Sequence, residues 1–110
     1  MRNSFLIIVF FCLAFSGFGQ KRFFGQAALT THSKEVLSQV ESQLKQDSSV
    51  LVVRIDPLNF TVLIFSNEME SMTLERFKTM FGSFSNLISC ARVGEMQKDK
   101  IEAFPFRNCQ

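Results

Sequence analysis

The stretch V50-L-V-V-R-I-D-P-L-N-F-T-V-L-I-F65 decides the fold. Residues 50–55 and 60–65 are rich in β-branched and aromatic side chains, which suit a pleated, half-buried surface. Between them, Asp56-Pro57-Leu58-Asn59 carries turn chemistry. Pro57 fixes its own φ, and Asn59 is the residue expected to take a left-handed conformation. Two strands joined by so short a turn must pair antiparallel. The reading predicts a β-hairpin, with Val53, Ile55, Val62 and Ile64 directed into the core.

On either side of the hairpin the hydrophobic period changes. Upstream, Val36, Leu37, Val40 and Leu44 recur at the spacing of one helical face. A hydroxyl of Thr31 or Ser33 can cap the start of this helix by accepting a bond from a free backbone N–H. The polar run Gln46-Asp47-Ser48-Ser49 ends it. Downstream, Leu74, Phe77, Phe81 and Phe84 recur at three, four and three, an amphipathic helix with an aromatic seam and Gly82 in its last turn. The stretch N86-L-I-S-C-A-R-V-G94 is a further strand, and R22-F-F-G-Q-A-A-L29 is a weaker strand candidate at the start. The order is helix, strand, strand, helix, strand, with that weaker strand in front. It fits an α+β class: the ferredoxin-like split βαβ sandwich, an antiparallel sheet with two helices on one face. Val40, Leu44, Phe77 and Phe81 complete the predicted core.

The first 19 residues have a different character. Arg2 precedes the apolar run 5–15, and Ser16-Gly17-Phe18-Gly19 supplies small residues where a signal peptidase needs them. This is the pattern of a cleaved secretory signal, and the apolar run is shorter than the roughly 20 residues that span a bilayer. The expected division is a signal over 1–19 and a single domain with a C-terminal tail over 20–110. The mature chain is then exported, periplasmic or secreted, with no stable membrane anchor after cleavage. Eleven basic residues face ten acidic ones once Arg2 is removed, dispersed without runs. That balance points to no nucleic-acid partner.

Removal of Cys12 with the signal leaves Cys90 and Cys109. An even pair in an oxidising compartment reads as a structural disulfide, since nothing nearby resembles CxxC. The tail also carries Phe104-Pro105-Phe106. It is expected to tuck back, tethered by Cys109, with an exposed binding patch as the other arrangement. Neither a phosphate-binding glycine loop, an HExxH zinc motif nor a nucleophilic-serine elbow occurs. Glu68 and Glu70 read as a solvated loop. The chain is therefore read as no enzyme and as needing no cofactor.

Taken together, Val40-Glu41, Leu44, Val50, Val53, Ile55 and Asp56, followed by Val62, Ile64 and T73-L-E-R-F-K-T-M-F81, resemble heavy-metal-associated domains of the copper-chaperone type. Those domains open with a loop MxCxxC. At the matching positions this chain holds Ser33 and Val36, so the soft thiolates that select Cu(I) and Zn are missing. The resemblance implies the ferredoxin-like scaffold with its metal site lost. His32 stands beside the vacated positions and is the one weak candidate ligand. The functional expectation is an exported, non-catalytic interaction module with an unknown protein partner. Its alternative is a metal carrier using non-standard ligands, His32 with methionines or reduced cysteines.

Overall fold

The computed structural model describes residues 20–107 and Cys109. The predicted signal over 1–19 lies outside the described residues. The elements are β1 (Phe23–Leu29), α1 (Lys34–Lys45), β2 (Val50–Asp56), β3 (Thr61–Ser66), α2 (Leu74–Thr79), a 3₁₀ segment (Gly82–Leu87) and β4 (Ile88–Glu95). The strands form one sheet in the order β2-β3-β1-β4, and every neighbouring pair is antiparallel. This is the α+β, ferredoxin-like arrangement expected from the element order, with the weaker strand candidate as its central β1.

Local chemistry sets the element boundaries. Ser33 caps α1, its Oγ accepting from Val36 N at 3.3 Å. Thr73 caps α2 in the same way through Arg76 N at 3.0 Å. The second helix is shorter than its apolar spacing predicts. It stops at Thr79, and Gly82 takes φ +58°, which turns the chain into the 3₁₀ segment. Phe81 still reaches the core from beyond the helix end, whereas Phe84 is only partly buried. The hairpin turn differs as well. Phe60, not Asn59, holds the positive φ of 54°. Asn59 is instead bonded to Asp56, and Phe60 is held by its carbonyl, which accepts from Leu29 N at 3.0 Å.

Register assigns side chains to the two faces of the sheet. Ala27, Leu29, Val62, Ile64 and Ala91 face the helices and pack with Leu37, Val40, Leu44, Phe77, Met80 and Phe81. α1 lies against β2 and α2 against β4. Six of the predicted core residues are buried as expected: Val40, Leu44, Val62, Ile64, Phe77 and Phe81. Val53 and Ile55 pack against the core but are only partly buried. Their strand is an edge, with a neighbour on one side only.

The opposite face is covered differently. After β4 the chain reverses at Asp99, whose N–H donates to Glu95 O at 2.9 Å while its carboxylate accepts from Glu95 N at 2.8 Å. It then returns as a strap across the sheet. Asp99 lies over Gly94, Glu102 meets Gln26 and Arg92, and Cys109 reaches Cys90. The strap leaves Phe24 and Ala28 buried on the face away from the helices. β1 is therefore covered on both sides.

Candidate binding groove

On the strap face, β2 and β3 present Val52, Arg54 and Asp56 beside Phe65, Leu63 and Thr61, as their register requires. The strap does not extend over all of them. Between it and the hairpin runs a groove of about 460 Å³, floored by Leu63 and walled by Arg54, Ile101 and Phe104. Ile101 is 39% exposed, Phe104 45% and Val52 38%. The tail thus adopts parts of both expected arrangements: it tucks over the sheet at Glu102 and leaves Phe104 open to solvent.

The strap side of the groove rests on a polar latch. The Gln26 side chain is buried; its Nε2 donates to Glu102 O at 2.6 Å, and its Oε1 accepts from Glu102 N at 3.1 Å. An amide side chain that bonds both groups of one residue behaves like a short piece of neighbouring strand. The same Oε1 accepts from Arg92 Nη1. Arg92 Nε faces Glu102 Oε2 at 3.4 Å, close enough for an ion pair but not aligned as a hydrogen bond. Its guanidinium lies 5.4 Å from the centre of the Phe24 ring, an attractive cation–π contact. Neither Gln26 nor Arg92 stood out in the sequence. The available signal was a glutamine in the middle of a run of small and apolar strand residues.

The hairpin side is held by Asp56. Its Oδ1 accepts from Leu58 N at 3.0 Å and Asn59 N at 3.4 Å, and its Oδ2 from Asn59 Nδ2 at 2.9 Å. These donors, the Asn59 amide foremost, hold the carboxyl below its ordinary value. Of the charged residues lining the groove, Asp56 is committed to the turn and Glu102 to the latch. Arg54 is exposed, and its guanidinium makes no hydrogen bond or ion pair among the described residues.

The other residues singled out from sequence lie elsewhere. Ser33 serves as the α1 cap and Val36 packs on the core. His32 is exposed on the loop before α1 and meets Phe60 edge-on at 5.5 Å between ring centres. Met72 and Met80 are buried in the helix-face core, and Met69 packs against it. Among the described residues, no three of the His, Cys, Asp or Glu side chains converge as a metal-holding group. Cys90 and Cys109 sit at disulfide distance, their Cα atoms 5.0 Å apart. Also among the described residues, no helix is long and apolar enough to cross a membrane.

Compared with protein-family models, characterised proteins and solved structures, the chain matches none.

Proposed function

We propose that the mature chain is an exported, non-catalytic interaction module on a heavy-metal-associated-like scaffold without the family's soft-metal ligands. Its groove takes an extended segment of a partner protein in which apolar side chains flank a carboxylate. The observation that carries this reading is Arg54, an exposed and unpaired guanidinium on the wall of a channel of mixed lining, with apolar surface from Leu63, Ile101 and Phe104. A guanidinium binds carboxylates through two parallel hydrogen bonds, and the apolar floor offers area to bury. The strand order and the β1–α1 loop position support the scaffold, and the exposed position of His32 leaves it a surface residue.

A displayed library of random decapeptides, selected on the folded chain, tests the proposal. Enriched sequences should combine Asp or Glu with apolar neighbours and lose at least tenfold in affinity to Arg54→Glu, which is about 1.4 kcal/mol. Their chemical-shift footprint should cover Leu63 and Phe104. Enrichment indifferent to Arg54, or no enrichment, would refute it. So would a one-to-one complex with added Zn(II) or Cu(I) that disappears in His32→Ala, because that result belongs to a metal carrier.

A further inference from the structure

The strap and the helix layer are mechanically separate. The core cluster and the side chains packed on it come from β1 to β4 and include no residue beyond Val93. Within the strap, attachment is uneven. Its first part is bound to the sheet by the Asp99 turn and by the bonds between Glu102 and Gln26 and Arg92. Beyond Glu102, the hydrogen bonds and ring contacts among the described residues stay inside the strap, namely Arg107 N to Glu102 Oε1 at 2.7 Å, the Phe104–Phe106 ring pair, and Cys109 Sγ with Phe106 O. Ala103, Phe104 and Phe106 border the groove without a polar tie to the sheet. The covalent tie from this second part to the sheet is Cys90–Cys109. Cys109 is exposed and Cys90 half-buried, so an incoming thiolate reaches Cys109 first.

We infer that this strap is a reductively released cover: a dithiol reductant frees the chain from Ala103 onward and widens the groove while the sheet and helices stay folded. In the chemical step, one thiolate of the dithiol attacks Cys109 Sγ. The Cys90–Cys109 bond breaks, and Cys90 leaves as a thiolate that takes up a proton. The second thiol of the reductant then displaces Cys109 from the mixed disulfide. Two electrons pass to the protein, which gains two thiols, and the reductant ends as a disulfide. Once the link is broken, Ala103 to Arg107 have, among the described residues, no hydrogen bond to the sheet to offset their ordering entropy. The latch at Glu102 stays closed, because its bonds do not pass through the cysteines.

Only the functional consequence rests on the groove being a binding site; the release itself does not. The test uses the mature chain, oxidised and after treatment with dithiothreitol, beside the Cys90→Ser/Cys109→Ser variant. Reduction should add the mass of two hydrogens. Backbone order parameters from Ala103 to Arg107 should fall below about 0.6, and chymotrypsin should cut after Phe106 at least tenfold faster. The circular dichroism spectrum and the Gln26 side-chain amide resonances should not change. The double variant should behave as the reduced protein. A mass unchanged by reduction, a strap that keeps its order, or loss of the whole fold on reduction each overturns the inference. Peptide affinity is read separately: strap release that leaves affinity unchanged would leave the release standing and remove the groove as the binding site.

Discussion

The two faces of the sheet are both covered, but by different means. On the helix face, apolar side chains from all seven elements interlock: Phe77 and Phe81 meet edge-on at 5.2 Å, and neither is exposed. On the strap face, one irregular segment is held by an amide, an ion pair and a cysteine pair, and it leaves Phe104 and Ile101 partly in solvent. Close packing over an apolar core is cooperative, because every side chain there supports several others. Attachment at a few polar points is not, so the segment between two points can detach alone. The helix face thus supplies the stability of the domain, and the strap face supplies the part of it that can change.

The comparison breaks most visibly at Phe77. Phe77→Ala should cost about 3–5 kcal/mol, enough to unfold a domain whose total stability is only about 5–15 kcal/mol. Denaturant unfolding followed by far-ultraviolet circular dichroism measures it, since the chain has neither Trp nor Tyr for fluorescence. A loss under about 1 kcal/mol would mean that the helix face is not the cooperative core described.

Two glycines provide a matched pair across the sheet. A Cβ at Gly25 would lie 2.5–2.8 Å from the Phe77 ring, while one at Gly94 would meet the Phe24 ring and, at 2.9 Å, Asp99 Cβ. Gly25→Ala presses into packed side chains and should cost about 1–3 kcal/mol. Gly94→Ala presses first on the buried Phe24 ring and then on Asp99, so it should cost a similar amount, about 1–3 kcal/mol, and, unlike Gly25→Ala, should also speed proteolysis of the strap. Strap proteolysis raised equally by Gly25→Ala would erase the distinction between the faces.

The smallest effect concerns the seam between the helices. Arg76 on α2 grips Asp47, just past α1, with Nη1–Oδ2 at 3.0 Å and Nη2–Oδ1 at 3.1 Å, and also reaches Ser49 Oγ at 3.1 Å. The Arg76 bond holds the Asp47 carboxyl below its ordinary value, with the Ser49 backbone N–H helping and burial opposing. A carboxyl lowered in the folded state stabilises fully above its unfolded pKa and loses that contribution as pH falls through the folded value. The Arg76 side chain is 39% exposed, so solvent screens the pair. Asp47→Asn should therefore cost about 1 kcal/mol or less at neutral pH. The difference from the parent chain should shrink as the medium is acidified below pH 4. A difference that grew on acidification would reverse the assigned sign.

Much of this architecture could be read in the sequence because it rests on local signals. The hairpin, the capped start of α1 and β4 follow from side-chain period and turn chemistry within short windows. The weaker reading of β1 has a physical cause. F23-F-G-Q-A-A-L29 does not alternate because both its faces are buried, with Gly25 close under the Phe77 ring on one side and Gln26 bonded to the strap on the other. The end of α2 was missed because apolar spacing ran on past Gly82, whose positive φ outweighs it locally. The groove could not be read at all. Arg54 looked like one more dispersed surface charge, and Gln26 and Glu102 lie 76 residues apart.

The sequence by itself determined the order of elements, the helix caps and the apolar residues of the helix face, since each depends on neighbours within a turn or a strand length. Tertiary structure decided which strand is central, that the tail crosses the open face, and that Gln26, Arg92 and Glu102 meet there. Those outcomes depend on side chains far apart in the chain finding hydrogen-bond partners once both faces of β1 are withdrawn from water, and no local period in a sequence records such a meeting.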